Sequence, residues 1–459
     1  MDHGRDEVSG HPSTRADLII RGGVVVTGDR EHGVFVGDVA VEDGVIIGLA
    51  PRLEVTAERE IDARGDIVVP GFVNCHTHQN MERGVFEDLP FFEWLNDFAL
   101  PKDRVYEPRH MRAASLLCQA EMIRAGTTTF IDIFRFPHEA ARVAVDTGVR
   151  CIISPQVIDD PVGPGETLET NEEFVDSWHG RHSRIQAWFG PHSLYTVKAN
   201  TYRRMRELAD HYGVGIHTHL AESRGETELV AERSGGLSPT RWLHELVGLG
   251  PDVVGAHCIE LSSADIEMIA RTGLGVAHCP TSNMKLGNGA APICELLAAG
   301  ATVGLGTDSV MTNNNLDPFE EMRQAGLLAK FVSGDATALD SATLFGLATL
   351  GSANVLGMGD VIGSLEVGKR ADIVVVNGHQ PHAWPLFRSG GGNVVEQVVW
   401  SCTGGDVKYT IVDGQVLLDD GRLTTIDLAE VEDLVETEAR HLFTSAGVMD
   451  HIEHRATER

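Results

Sequence analysis

Basic residues are scarce in this sequence relative to acidic ones. The 459 residues include 37 lysines and arginines against 67 aspartates and glutamates, a formal net charge of −30. Proteins that bind nucleic acids or anionic membrane surfaces do so through a basic footprint. We therefore expect neither nucleic acid nor a membrane among the partners of this protein.

Long apolar runs and paired cysteines are also lacking. No run reaches the roughly 20 apolar residues that span a bilayer, and residues 1–15, MDHGRDEVSGHPSTR, contain no apolar signal core. The seven cysteines are scattered without a CxxC pair, which is typical of a reducing compartment. We expect a cytoplasmic protein.

Several catalytic signatures are missing. No GxGxxG or GxxxxGK[ST] loop opens a helix, which argues against dinucleotide and P-loop chemistry. There is no GxSxG nucleophile elbow, and the HxE…PCxxC signature of the small zinc deaminases is absent as well. The chemistry has to come from another pattern.

A β-type texture is present at both ends of the chain. Short apolar runs separated by Gly and Asp turns fill residues 17–69. The same texture returns later, in residues 371–378, 395–402 and 406–418. We therefore predict a small β-sandwich domain composed of residues 1–68 and 363–425. Apolar residues at helical spacing after Asp427 predict a helical tail over 426–459.

The middle of the chain, residues 69–362, alternates short apolar runs with helical segments, which indicates repeated βα units. Residues 108–126, for example, show a helical pattern that ends at Gly126. The strand candidates are residues 71–78, 127–133, 149–156, 185–193, 214–222, 253–258, 274–280 and 302–309. Eight parallel strands with intervening helices predict an α/β fold of the (β/α)8 TIM-barrel type.

Metal-ligating residue types stand where most of these strands end. They are His76, His78, His192, His217, His219, His257, His278 and Asp308. Active sites of such barrels lie at the C-terminal strand ends, and buried imidazoles and carboxylates are costly without partners. The pattern predicts a divalent metal bound by His76, His78, Asp308 and a histidine of the fifth strand. Because His217 and His219 share one face of that strand, spacing does not choose between them.

A metal that activates water at neutral pH needs groups that move protons. Asp308 and Glu222 are the carboxylates predicted at this rim, and His257 is placed to orient the water or to stabilise developing charge. The structural alternatives are a solvated helix-start acid for Glu222 and hydrogen-bonded barrel histidines for His257 and His278.

Five stretches together resemble a known family. They are PGFVNCHTH (70–78), HTHLAES (217–223), GAHC (255–258), AHCPTSNMKLGNGAAPI (277–293) and LGTDSVMTNNNLDPFEEM (305–322). This combination resembles the amidohydrolase superfamily, in the branch of S-adenosylhomocysteine/methylthioadenosine deaminases and triazine chlorohydrolases. The resemblance covers residues 17 to 425.

The resemblance implies one metal ion, zinc or in some relatives iron, held by His76, His78, His219 and Asp308. It implies that Glu222 is the proton shuttle and that His257 stands beside the metal-bound water. Two-metal relatives carry a bridging lysine at the end of strand four, where this chain has GPHS (190–193). A mononuclear site is therefore implied. Family members often form dimers or larger assemblies, so a homo-oligomer is possible.

The resemblance also bears on the substrate, a small molecule. Glu93, in LPFFEWL (89–95), resembles a glutamate that binds ribose hydroxyls, with Trp94 beside it, and His192 resembles a histidine that contacts purine or sugar. A carboxylate that accepts from two neighbouring hydroxyls is a sound ribose clamp. The alternative for Glu93 is a helix-start acid.

Relatives that bind the amino-acid tail of S-adenosylhomocysteine hold its carboxylate with arginines after strand three. This chain has no arginine between Arg150 and Arg181. We therefore expect hydrolytic deamination of an aromatic N-heterocycle, chiefly the adenine of a nucleoside with an uncharged 5′ group (adenosine, 5′-deoxyadenosine or methylthioadenosine). The alternatives are a free base or other heterocycle (guanine, 8-oxoguanine, a pterin or a triazine) and, more remotely, a non-catalytic scaffold.

Two further segments leave their roles open. The loop at 159–167 is expected to lie over the pocket. The run Asn313–Asn315 after Asp308 either reaches the substrate or turns the chain.

Overall fold

The computed structural model describes residues 15–31, 33–85, 87–89, 94–159, 166–388, 392–450 and 452. The strands in chain order are β1 Arg15–Val26, β2 Val34–Glu42, β3 Val45–Ala50, β4 Thr56–Asp62, β5 Ile67–Pro70, β6 Phe72–His78, β7 Thr127–Asp132, β8 Arg150–Ile153, β9 Gln156–Val157, β10 Ile185–Ala187, β11 Gly190–Pro191, β12 Ile216–Leu220, β13 Val253–His257, β14 Gly275–His278, β15 Thr302–Leu305, β16 Asp308–Ser309, β17 Ile373–Val376, β18 Val407–Val412, β19 Gln415–Asp419 and β20 Arg422–Leu423.

The α-helices are α1 Leu100–Arg104, α2 Pro108–Arg124, α3 Pro137–Thr147, α4 Leu168–Trp178, α5 Ala199–Tyr212, α6 Arg224–Ser234, α7 Pro239–Val247, α8 Ser263–Thr272, α9 Pro280–Lys285, α10 Ile293–Ala298, α11 Pro318–Ser333, α12 Ser341–Gly346, α13 Ser352–Val355, α14 Val394–Trp400 and α15 Leu428–Ser445. Within the described parts of the chain, no helix combines the length and the apolar character needed to cross a membrane.

Strands from both ends of the chain pair in one mainly antiparallel sheet of nine strands. Its order is β20-β19-β18-β17-β5-β1-β2-β3, with β4 parallel to β1. The two ends meet where β17 runs antiparallel to β5 and Val374 lies opposite Val69. Leu18, Val41 and Ile373 belong to a core of this sheet that is distinct from the main core. The molecule therefore has a mixed α/β fold with a β-rich unit.

The strands between these ends are parallel and helices alternate with them. Their pairing orders are β10-β8-β7-β6-β16 and β12-β13-β14-β15, with β9 beside β11. A single bridge between Phe189 and Ile216 links the first group to the second. At the other side, β16 follows β15 and pairs with β6, with Asp308 opposite Thr77.

A glycine permits the close contact between the last parallel strand and the first. Gly306 lies between β15 and β16, and a Cβ atom at this position would stand 2.7 Å from the Cβ of His76. Any larger residue would therefore push β16 away from β6, and with it Asp308 away from His76.

One element differs from the prediction. Residues 395–402 were expected to continue the late β texture, but Val394–Trp400 form a helix. Val394, Val398 and Val399 are buried, and their spacing of four and five residues places them on one helical face. The prediction of a strand here is wrong because a short apolar run of valines is compatible with both structures.

Candidate metal-dependent active site

Four side chains converge at the C-terminal ends of the parallel strands. His76, His78, His219 and Asp308 each bring one ligand atom to within 4.8 Å of the other three, and all four residues are buried. His78 Nε2 lies 3.3 Å from Asp308 Oδ1 and 3.1 Å from His219 Nε2. His76 Nε2 lies 3.4 Å from the same carboxylate oxygen.

This donor set fits a first-row divalent ion. Nε2 of His76 is buried and has no hydrogen-bond partner, which is costly unless a ligand takes its lone pair. His219 donates its Nδ1–H to the backbone carbonyl of His192 at 2.7 Å, so its Nε2 also presents a lone pair. Imidazole nitrogens and a carboxylate oxygen are ligands that zinc accepts.

Asp308 is held in a conformation that presents one oxygen to the histidines. Its Oδ2 accepts hydrogen bonds from Ser282 Oγ at 2.5 Å and Thr312 Oγ1 at 3.1 Å, which leaves Oδ1 for a cation. The backbone at Asp308 is left-handed, with φ of 59°, a strained conformation of the kind that clusters at functional sites. Burial would raise the pKa of Asp308, but the adjacent imidazoles of His76 and His78 outweigh it and hold the pKa well below its usual range.

Glu222 lies at the rim of the same centre. Burial raises the pKa of this carboxyl above its ordinary value, so the acid form persists closer to neutral pH. Asn288 Nδ2 donates to Glu222 Oε1 at 3.2 Å, and the Glu222 backbone N–H donates to Glu226 Oε2 at 2.7 Å. Glu222 is therefore oriented from both its side chain and its main chain.

His257 presents one ring nitrogen to the centre. Its Nδ1 is 2.9 Å from Asn283 Oδ1, whereas its Nε2 is buried without a partner. Burial would lower the pKa of His257, but the facing carboxylates of Glu222 and Asp308 outweigh it and raise the pKa. This nitrogen is a free polar group beside the predicted metal position.

A cavity of about 400 Å³ lies above this centre. Glu222, His257 and Asp308 line it, and Phe134 and His192 form other parts of its wall. The volume is within the range of small-molecule sites. The arrangement thus combines a metal-ligand set, proton-transfer groups and room for a small substrate.

The match to a known family covers most of the chain. Residues 67–417 match the model described as the amidohydrolase family. The chain belongs to this family.

Among its relatives, a 5-methylthioadenosine/S-adenosylhomocysteine deaminase from Pelotomaculum thermopropionicum is 37% identical over 436 residues, with 93% of this chain and 98% of the relative covered. A 5'-deoxyadenosine deaminase from Methanosarcina mazei is 37% identical over 434 residues, with coverages of 93% and 98%.

Solved structures resemble this amidohydrolase over nearly its whole length. The crystal structure of an adenosine deaminase from Xanthomonas campestris with bound zinc has a TM-score of 0.89 and 33% identity, and covers 94% of this chain and 100% of that one. An atrazine chlorohydrolase from Arthrobacter aurescens complexed with zinc has a TM-score of 0.84 at 23% identity, with coverages of 92% and 99%. The second likeness concerns the fold alone.

A second group of possible ligands in this amidohydrolase does not suit a metal. His110, Glu438 and His441 bring ligand atoms together. However, the Glu107 backbone N–H donates to His110 Nδ1 at 2.9 Å, so the neutral His110 ring carries its proton on Nε2. The Arg109 guanidinium contacts the His441 ring and lies 3.5 Å from Glu438. The group ties α15 to α2 through hydrogen bonds.

The remaining predicted site residues have different outcomes. His192 borders the cavity, and burial lowers its pKa to about 3, so the ring is neutral. Glu93 lies outside the described residues. Trp94 begins a π-helical turn, Trp94–Ala99, but its side chain is also outside the described part. His278 is buried and is not among the described residues that line the cavity.

The two segments with open roles are partly resolved. The stretch 160–165 lies outside the described residues, whereas Asp159 accepts from Thr201 Oγ1 at 2.9 Å.

The side chains of the asparagine run form hydrogen bonds with other segments of the protein. Asn313 donates to Glu321 Oε1 at 2.5 Å, and Asn314 donates to Glu87 Oε1 at 2.6 Å. These contacts favour the chain-turning role.

Sequence reasoning missed a charged wall of the cavity formed by Lys102, Asp103 and Arg135. Arg135 follows β7 by three residues, so its place at a strand end was a usable signal. Lys102 and Asp103 lie in helix α1, whose position the pattern of strands does not predict.

Proposed function

We propose that this amidohydrolase is a metal-dependent aminohydrolase that deaminates an aromatic N-heterocycle. The proposed substrate is the adenine of a nucleoside with an uncharged 5′ group: adenosine, 5′-deoxyadenosine or methylthioadenosine. The observation that carries the proposal is the placement of Glu222, His257 and Asp308 in one cavity with the candidate metal ligands His78 and His219. The deaminase names of the relatives support it.

We infer that residues 69–362 form a closed (β/α)8 TIM barrel. The parallel pairings, together with the Phe189–Ile216 bridge and the contact of β16 with β6, support closure. We further propose that residues 1–68 and 363–425 form a β-sandwich, since strands of both segments share one core. Residues 426–459 would form the helical tail.

The proposed ligands are His76, His78, His219 and Asp308, and the proposed ion is one zinc, with iron as the alternative. Zinc is bound in the solved adenosine deaminase that this chain resembles. When bound, such an ion supplies a water nucleophile at neutral pH.

The protein side chains supply the proton transfers. Asp308 takes the proton that the attacking water releases, and Glu222 delivers a proton to the ring nitrogen next to the amine-bearing carbon. Burial raises the pKa of Glu222, which favours the protonated form that this step requires. His257 Nε2 stabilises charge at the attacked carbon. The water oxygen bonds to the amine-bearing carbon, Asp308 passes its proton to the departing amine, and the C–N bond breaks to release ammonia. The new hydroxyl group gives its proton back to Glu222 and remains as the ring carbonyl.

The charged wall of the cavity supports the proposal that the substrate has an uncharged 5′ group. Lys102 Nζ lies 3.0 Å from Asp103 Oδ1 and 3.3 Å from Glu82 Oε1. Arg135 lies 3.1 Å from Asp103 Oδ2 and 2.9 Å from Glu166 Oε1. Three carboxylates thus face two cations. No excess positive charge remains to bind the carboxylate of S-adenosylhomocysteine.

For the nucleoside sugar and base, we propose contacts with Glu93, Trp94 and His192. The support is the LPFFEWL and GPHS sequence pattern and the position of His192 in the cavity wall. Loss of activity on Glu93→Ala for ribosylated substrates alone would support the ribose role.

We also propose a cytoplasmic location. All seven cysteines are free thiols, as expected for a reducing compartment.

The direct test is ammonia release by the zinc-loaded protein, followed together with ultraviolet spectra. The panel contains adenosine, 5′-deoxyadenosine, methylthioadenosine, S-adenosylhomocysteine, guanine, 8-oxoguanine, a pterin and an aminotriazine. We expect turnover of the uncharged adenosines and little of S-adenosylhomocysteine. Turnover of only a free base or triazine would contradict the nucleoside assignment. A protein that neither retains added zinc nor turns over any substrate would indicate a scaffold.

A further inference from the structure

A chain of hydrogen bonds runs from one candidate metal ligand into the protein interior. His76 Nδ1 lies 2.8 Å from His217 Nε2, and His217 Nδ1 lies 2.9 Å from Ser154 Oγ. Ser154 Oγ in turn lies 2.7 Å from the backbone carbonyl oxygen of Asp132. His76, His217 and Ser154 are fully buried, so solvent does not compete for these bonds.

The protons of this chain can be assigned from its last member. A carbonyl oxygen only accepts, so the Ser154 hydroxyl donates to Asp132 O. Ser154 Oγ then accepts from His217, which places a proton on His217 Nδ1. In the neutral ring, His217 Nε2 is left with a lone pair and accepts from His76 Nδ1–H.

The same assignment determines what His76 presents to the centre. With its proton on Nδ1, the neutral His76 ring has a lone pair on Nε2, the buried nitrogen without a hydrogen-bond partner, 3.4 Å from Asp308 Oδ1. The opposite tautomer would point an N–H at the metal position. It would also leave two lone pairs facing each other between His76 and His217.

We propose that His217 is a positioning residue that fixes His76 in its metal-binding tautomer and ring orientation. His217 acts through Nε2, which the contact with His76 occupies, so it is not itself a ligand. The two histidines of β12 therefore have different tasks, with His219 facing the ion and His217 supporting His76. This role rests on the metal site of the proposed function.

The His217 ring makes two hydrogen bonds, one to His76 and one to Ser154. The test compares variants that keep the first, the second or neither. His217→Gln puts an amide oxygen near the place of Nε2 and keeps the acceptor for His76. His217→Asn reaches only the place of Nδ1 and keeps the contact with Ser154. His217→Leu keeps neither, and Ser154→Ala removes the acceptor at the far end. Ser115→Ala, which removes a buried hydroxyl of α2 without a hydrogen-bond partner among the described residues, is the control.

The measurement is zinc retention by the purified holoenzyme during competition with a chelator, without substrate, so it is independent of the deamination assay. For His217→Leu and His217→Asn we expect zinc affinity to fall by about 10- to 100-fold. His217→Gln should retain zinc far better than either, and Ser154→Ala should weaken retention more than Ser115→Ala does. The d–d spectrum of the cobalt-substituted protein should change in His217→Leu and not in Ser115→Ala.

Two results would overturn the proposal. One is a His217→Gln variant that loses zinc as readily as His217→Leu, because the retained acceptor would then be irrelevant. The other is equal zinc retention in wild type, Ser154→Ala and His217→Asn. Thermal unfolding of each variant identifies any that fails to fold, and the Ser154→Ala comparison then decides.

Discussion

His219 donates its Nδ1–H to the backbone carbonyl of His192 at 2.7 Å. The residue whose ring borders the cavity thus holds a candidate metal ligand through its main chain. The proposed substrate contact of the His192 ring can therefore be tested apart from the support of His219, because a side-chain substitution leaves the carbonyl in place.

The first prediction follows from this separation. His192→Ala should raise KM for the nucleoside by roughly 5- to 10-fold, the value of about one hydrogen bond, with zinc content unchanged. Steady-state kinetics and metal analysis on the same preparation check it. Thr196→Val, which removes a hydroxyl 3.0 Å from His192 Nδ1, should have a smaller effect of the same sign. Loss of zinc from His192→Ala would show that the ring supports the metal site.

The second prediction concerns metal removal. Dialysis against a chelator should abolish ammonia release, and added zinc should restore it, because the reaction needs an activated water. His78→Ala should remove the bound zinc, whereas His441→Gln should leave it in place, since the His110–Glu438–His441 group is a hydrogen-bond cluster. A second zinc that disappears in His441→Gln would refute the distinction between the two groups.

The third prediction assigns the proton transfer to Glu222. Glu222→Gln should lower kcat by about 10²- to 10⁴-fold while zinc stays bound, since an amide cannot deliver the proton. Glu228→Gln is the matched control, because Glu228 is exposed in α6, the helix that follows Glu222, and pairs with Arg224 at 3.0 Å. Equal kcat in the two variants would sink the role of Glu222.

The fourth prediction tests the charged wall as a specificity element. Asp103→Asn removes the carboxylate that contacts both Lys102 and Arg135. Two carboxylates then face the two cations, so the wall loses its excess negative charge and repels a substrate carboxylate less. The ratio of kcat/KM for S-adenosylhomocysteine to that for methylthioadenosine should rise. This ratio is an internal control, because a general loss of folded enzyme lowers both values equally. An unchanged ratio would show that the wall does not select the 5′ group.

The fifth prediction concerns stability and pH. Burial raises the pKa of Glu321 to about 8, whereas the unfolded chain ionises near pH 4.3. Between these two pH values the folded protein holds a proton that the unfolded chain has lost. The contribution of Glu321 to the free energy of unfolding is therefore full below the unfolded pKa. It falls as the pH rises to about 8, by up to about 1.4 kcal/mol per pH unit.

Glu321→Gln should remove the contribution of this carboxyl to the pH dependence. The free energy of unfolding from urea titrations at pH 5 and pH 8 should differ less in the variant than in the wild type. The exposed Glu267→Gln is the control and should behave like the wild type. Parallel curves for wild type and Glu321→Gln would contradict the assignment of a retained proton to this carboxyl.

The sequence alone determined a large part of the chemistry. Alternation along a strand sends His76 and His78 to one side, and the same rule applies to His217 and His219, because side-chain direction in a strand is a local property. Residue type then limits the candidate ligands to imidazoles and a carboxylate. The apolar runs located the parallel strands to within a few residues for the same local reason.

The tertiary structure decided what depends on contacts between distant residues. Spacing left His217 and His219 equivalent, and only the 2.8 Å contact with His76, 141 residues away along the chain, separates them. The pairing of Lys102 and Arg135 with carboxylates likewise depends on helix α1 meeting the chain after β7 across the cavity. Val394–Trp400 became a helix because neighbouring elements bury one helical face, which a short valine-rich run does not reveal by itself.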